Sequence, residues 1–86
     1  GTISAFVSVS MDYKTLRSDG SDENSLLKKI RSHDSVESVC MLTGDVDMLV
    51  KVRVENVNEL DKFVIDFLRK LDGIERTNTM VILSEI

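Results

Sequence analysis

The sequence predicts an α+β domain with the ferredoxin-like order βαββαβ: a four-stranded antiparallel sheet with two helices on one face. Three observations carry the prediction. Apolar and polar residues alternate with period two at 3–11 and again at 46–54. Apolar residues recur at helical spacing between 57 and 72. Only a short Gly-Asp turn separates the second and third strands, which makes them an antiparallel hairpin.

Each element has its own local reason. In the first strand Ile3, Ala5, Val7, Val9 and Met11 share one face, with Ser4, Phe6, Ser8 and Ser10 on the other. Residues 12–20, DYKTLRSDG, mix charges with turn formers and read as a loop. Ser21 is a plausible N-cap for a helix at about 22–33, with Asp22 and Glu23 in its first turn and Lys28, Lys29 and Arg31 near its end, each with the sign the dipole favours. Leu26, Leu27 and Ile30 form its apolar stripe. Residues 36–43 read as the second strand, and Val46, Met48, Val50, Val52 and Val54 mark the third. Asn56 and Glu59 have capping-box spacing. Val57, Leu60, Phe63, Val64, Phe67, Leu68 and Leu71 then predict a helix over 57–72, and Gly73 stands where a left-handed C-cap residue belongs. The last strand falls within 74–86.

Eighty-six residues are read as one domain, 1–86, and a chain this small gains stability by associating. The open sheet face, with Phe6, Ser8, Leu49 and Lys51, is half apolar and suits sheet-to-sheet dimerisation. A net charge of −4 argues against binding nucleic acid directly. No apolar run approaches the roughly 20 residues that would span a membrane. One cysteine makes no intramolecular disulfide, so a reducing, cytoplasmic setting is expected. The chain begins Gly-Thr, as a processed chain or a piece of a longer one would.

Few residues suggest chemistry. His33, at the end of the first helix, suits an imidazolium facing the helix dipole, and catalysis would need a partner that the sequence does not place. Cys40 reads as a small buried side chain, and Met11, Met41, Met48 and Met80 as strand packing. With one Cys and one His there is no metal-ligand spacing, and neither metal nor cofactor is expected. A small acylphosphatase-like hydrolase would need an anion cradle after the first strand. Arg17 lies there without the glycines of such a cradle, so an enzyme is not expected. An amino-acid sensor with its site between the first strand and helix would concentrate motif near Gly20, where there is none.

The hairpin turn is different. Thr43-Gly44-Asp45-Val46-Asp47 crowds two carboxylates and a hydroxyl into a few residues, and Thr77 and Thr79 share a face of the last strand. Carboxylates for an ammonium group, with free N–H groups and hydroxyls for a carboxylate, suit a zwitterionic ligand. The alternative is a turn that Asp45 merely stabilises.

The stretches VESVCMLTGDVDMLVKVRV and LDGIERTNTMVILSEI resemble the C-terminal effector (RAM) domain of the leucine-responsive/asparagine-regulator (Lrp/AsnC) transcription factors, over about residues 3–86. The resemblance implies the βαββαβ fold, dimers packed sheet to sheet, closed rings of dimers, and an amino acid or similar effector bound near the hairpin turn. It carries Gly44, Asp45, Val46 and Asp47 onto the ligand loop, with Thr77, Thr79 and Met80 near the effector pocket and Met41 lining it. The family's helix-turn-helix half is absent from these residues, so the resemblance is to a stand-alone RAM protein or an isolated C-terminal domain. Partners would then be further copies of the chain or full-length regulators. Residues 12–20 are longer than the family's usual connection, and Val46 stands where the family often has an aromatic residue.

Overall fold

The computed structural model describes residues 1–18 and 22–86. Its strands are β1 (Ile3–Met11), β2 (Val36–Met41), β3 (Met48–Val54) and β4 (Ile74–Val81), in one antiparallel sheet of order β2-β3-β1-β4. The expected fold is therefore the observed one. Its helices are α1 (Tyr13–Ser18), α2 (Glu23–Arg31) and α3 (Val57–Asp61). From α3 the chain runs on through a π-helical stretch, Lys62–Phe67, and a 3₁₀ turn, Leu68–Lys70.

Alternation along the two central strands builds the core. Ala5, Val7 and Val9 of β1 pair with Val52, Val50 and Met48 of β3, and all six are fully buried. Against that face pack Leu26 and Ile30 of α2, Leu60 of α3, and Phe63 and Leu68 beyond it. The other sheet face stays open. On it Phe6 pairs with Lys51 and Met80, and Ser8 with Leu49 and Asn78. The ammonium group of Lys51 lies 5.8 Å from the Phe6 ring centre.

The segment expected as a loop at 12–20 is partly helix. Asp12 makes α1 possible: its carboxylate accepts from the backbone N–H of Lys14 (3.1 Å) and Thr15 (3.3 Å) and from the Thr15 hydroxyl (2.6 Å). Leu16 then buries against Gly73, whose φ of +98° makes it the left-handed residue expected there. A Cβ at Gly73 would sit 2.5 Å from Leu16 Cδ2.

Ser21, expected as an N-cap, lies outside the described residues with Asp19 and Gly20. The observed cap of α2 is Asp22, which accepts from the Ser25 N–H at 2.8 Å. Asn56 caps α3, accepting from the Glu59 N–H at 2.8 Å. The helix expected over 57–72 widens at 62–67 and stops being helical at Lys70. The Leu68 N–H reaches back to the carbonyls of both Phe63 and Val64. The five-residue interval between buried Phe63 and buried Leu68 matches that wider winding.

One single-residue expectation is corrected and another is filled in. Cys40 is exposed. The β2–β3 register shifts between Val36 and Ser38, which places Cys40 opposite Leu49 on the open face instead of the core. His33 serves structure just past the end of α2. Its Nδ1 accepts the Ser35 N–H at 3.1 Å, and its ring packs 4.9 Å from Phe63 and 4.5 Å from Phe67. Of the methionines, Met11 and Met48 are core, whereas Met41 and Met80, both on edge strands, are each 42% exposed.

Candidate functional site

The β2–β3 connection is held from β1. Leu42 donates to the Asp47 carbonyl at 2.9 Å, closing the hairpin, and the Asp47 N–H donates to the Val9 carbonyl at 3.0 Å. The Asp47 side chain completes the anchor. One carboxylate oxygen accepts the Met11 N–H at 2.8 Å and the other accepts the Tyr13 hydroxyl at 3.3 Å. Turn stabilisation, assigned to Asp45 as the alternative to a ligand role, falls to Asp47. Tyr13 also reaches Glu23 Oε1 at 3.5 Å. Desolvation, together with the charges of Asp47 and Glu23, pushes the Tyr13 phenol above its ordinary range.

With Asp47 tied down, the tip of the turn leans over the end of β1 toward the start of β4. Gly44 takes a φ of +109°, a backbone region that side-chain-bearing residues rarely adopt. Asp45 and Val46 then close one side of a depression of about 410 Å³. Its other walls are Ser8 and Ser10 from β1 and Arg76, Thr77 and Asn78 from β4. Pairing explains the convergence. Ser8 lies opposite Asn78 and Ser10 opposite Arg76, all on the open face beyond its apolar centre. The depression offers a carboxylate, a guanidinium, two serine hydroxyls and an amide, which together match an ammonium group and a carboxylate on one small molecule.

The expected site residues are thus divided. Asp45, Val46 and Thr77 meet in the depression, and Gly44 and Asp47 shape the turn that forms it. Thr79 pairs with Val7 on the helix side, one register step from the Thr77–Val9 pair and outside the depression. Met80 lies on the open face opposite Phe6. Met41 is on the far edge strand, beside Leu27, Lys28, Arg31 and Val39. Ser8, Ser10, Arg76 and Asn78 complete the lining and were not singled out from sequence. The serines were visible as the polar side of an alternating strand, and Arg76 stood beside a threonine that was chosen. The missing piece was the β1–β4 register, which no local pattern contains.

No group of His, Cys, Asp and Glu among the described residues is arranged to hold a metal ion. No helix among them is long and apolar enough to cross a membrane.

Fold and sequence together define a ligand-binding domain of the Lrp/AsnC type. Residues 4–86 match the family model of the Lrp/AsnC ligand-binding domain, and the chain belongs to that family. It is 38% identical over 55 residues to the HTH-type transcriptional regulator FL11 of Pyrococcus furiosus, covering 64% of this chain and 36% of that protein. It is 41% identical over 56 residues to the HTH-type transcriptional regulator LysM of Sulfurisphaera tokodaii, covering 65% of this chain and 39% of that one. The chain therefore spans little more than a third of the length of these curated relatives. Among solved structures, a transcriptional regulator of Neisseria meningitidis in complex with L-Met superposes with a TM-score of 0.81 at 28% identity, over 98% of this chain and 51% of that one. A Thermus thermophilus protein superposes with a TM-score of 0.80 at 28% identity, over 98% of this chain and 96% of its own.

Proposed function

We propose that this domain senses a free amino acid, or a closely related zwitterion, in the depression between the hairpin turn and the start of β4, and that it does so in the cytoplasm as part of a self-associating transcription regulator. The observation that carries the reading is the placement of Asp45 and Arg76 in one concavity. Asp45 accepts from the ligand's ammonium group. Arg76 presents a fork of donors to its carboxylate, with the Asn78 amide and the serine hydroxyls completing the set. Val46 supplies the apolar contact, and Gly44 and Asp47 hold the turn in place. The relative solved with L-Met supports the ligand class. Effector binding regulates only if it favours one assembly state over another. The open sheet face, with Phe6, Leu49 and Met80, is the surface through which copies would associate.

A thermal-shift scan against the free amino acids tests this. A ligand at 100 times its dissociation constant adds about 2.7 kcal/mol. A domain this small then melts roughly 10–20 °C higher, at about 4–8 °C per kcal/mol. Asp45→Ala is expected to abolish the shift without lowering the unliganded midpoint. A flat panel, or an Asp45→Ala variant that still responds fully, overturns the reading.

A further inference from the structure

We propose that α1 is a clamp on the effector depression: it fixes the gap between the turn wall and the β4 wall, so that Tyr13 and Leu16 are positioning residues for ligand affinity. Neither lines the depression. The inference rests on the effector reading and adds what holds that site in shape. Asp45 and Val46 stand on the hairpin turn that leads into β3, whereas Arg76, Thr77 and Asn78 stand on β4. In the order β2-β3-β1-β4 those two strands lie on opposite sides of β1 and are not neighbours. Past Met11, where β1 ends, no strand pairing spaces one wall from the other. The element that follows there is α1.

Helix α1 grips both sides. At its first residue the Tyr13 hydroxyl donates to Asp47 Oδ1 at 3.3 Å. Asp47 comes directly after Val46 and is itself tied to β1 through Val9 and Met11. On the other side, the Asp12 N–H donates to the carbonyl of Gly73, the residue before β4, at 2.8 Å. Leu16 is buried over Gly73, so close that a Cβ there would collide with it. Asp12 joins the two grips, because its carboxylate also caps α1 through the Lys14 and Thr15 N–H groups and the Thr15 hydroxyl. The Tyr13 hydroxyl reaches Glu23 Oε1 as well, at 3.5 Å, so the first turn of α2 braces the same point. An acceptor for an ammonium group and a donor for a carboxylate serve one small zwitterion only at a matching separation. Walls ordered before binding spare the ligand the cost of ordering them. Tyr13 is 40% exposed, so its grip can be released without opening the core.

Amide relaxation of isotope-labelled protein tests the clamp with no ligand present. In Tyr13→Phe the order parameters at 44–46 should fall from about 0.85, the rigid-backbone value, toward about 0.6. Those of Met48–Val54 should keep the parent's values. Thr15→Ala weakens the α1 cap and touches both grips at once, so it should loosen 44–46 and also 73–75. The second arm is a shift titration, on folded protein, with each free amino acid that raises the parent's melting midpoint. Tyr13→Phe should weaken binding about three- to tenfold, the scale of one hydrogen bond. A purely structural tyrosine would lower the melting midpoint and leave the affinity of the folded protein alone. Unchanged order parameters at 44–46 in Tyr13→Phe, or loosening in Thr15→Ala confined to α1 itself, would overturn the clamp. So would parent-like affinity in Tyr13→Phe. A flat amino-acid scan removes the effector reading instead, and the relaxation arm then still decides whether α1 spaces the two walls.

Discussion

At the scale of single residues, Asp45 and Asp47 are two apart in sequence and unlike in role. Asp47 receives two hydrogen bonds from groups on or beside β1, whereas Asp45 lines the depression and makes no hydrogen bond or ion pair among the described residues. Asp47→Ala removes the acceptor of the Met11 N–H and one of the two carboxylates that the Tyr13 hydroxyl reaches, and should cost about 1–2 kcal/mol. Asp45→Ala should stay within about 0.5 kcal/mol of the parent, as exposed substitutions do. Urea midpoints measured side by side decide it, and equal losses would mean that the turn is not anchored as described. The chain's single tyrosine gives a second readout. The fold raises the Tyr13 phenol above its ordinary 10.0, first by desolvation and then by the charges of Asp47 and Glu23. The neutral form is the one favoured by folding, so its contribution is present below pH 10.0 and is lost as pH rises through the folded midpoint. Asp47→Asn removes one of the two charges and should bring the phenolate absorbance in at lower pH. Sequence reading found both aspartates but could not rank them. Which carboxylate turns inward depends on where Met11 and Tyr13 lie, and that is a tertiary fact.

Elements with strong periodicity were legible, and those set by a cap or a contact were not. The alternation of β1 and β3 and the apolar spacing after Val57 fixed the layer order, because burial on one face dictates both periods. Helix α1 escaped because DYKTLRSDG offers only Tyr13 and Leu16 as apolar anchors, too few for any period to show. The helix rests on the Asp12 cap and on Leu16 reaching Gly73. Chiefly the Thr15 hydroxyl bond, then its backbone N–H, lowers the Asp12 carboxyl below its ordinary 3.8. A lowered carboxyl stabilises the fold above pH 3.8, and that contribution disappears as pH falls through the folded value. Amide exchange in α1 should therefore accelerate in acid before that of the central strands, and Thr15→Ala should move its onset to higher pH. Gly73 tests the other half of the support. Gly73→Ala combines a positive φ with a Cβ driven into Leu16, and should cost about 2–4 kcal/mol. Gly44→Ala meets the same backbone cost with nothing near its Cβ, and should lose only about 1 kcal/mol. If the two lose equally in denaturant titrations, the Leu16 contact is not what demands glycine at 73.

At the scale of the whole molecule, one side of the sheet is finished and the other is not. Helices cover Ala5, Val7 and Val9, while no helix covers Phe6, Leu49 and Met80, of which Phe6 and Leu49 are half-buried and Met80 is exposed. The charges among them are already partly neutralised, since Lys51 lies 3.6 Å from Glu85 and Arg53 lies 3.5 Å from Glu37. A second sheet could therefore approach without stranding bare cations. Leu83 and Ile86 near the end of the chain add further apolar surface, Leu83 being 95% exposed. A domain of 86 residues that leaves this much apolar surface uncovered gains by closing it against a copy of itself. Cys40 reports on that event, because the register shift in β2 sets its thiol on this face beside Leu49. In dilute protein the thiol should react with a disulfide reagent at the rate of an open cysteine. As concentration rises the rate should fall in step with a growing hydrodynamic radius. Phe6→Glu puts a charge at the centre of the face, opposite Met80, and leaves the core positions alone. That variant should stay monomeric and keep the fast rate at every concentration. A labelling rate independent of concentration in the parent, with association still visible by sedimentation, would place the contact on another surface. The exposed β2 edge around Val39 and Met41 would then be the next to test.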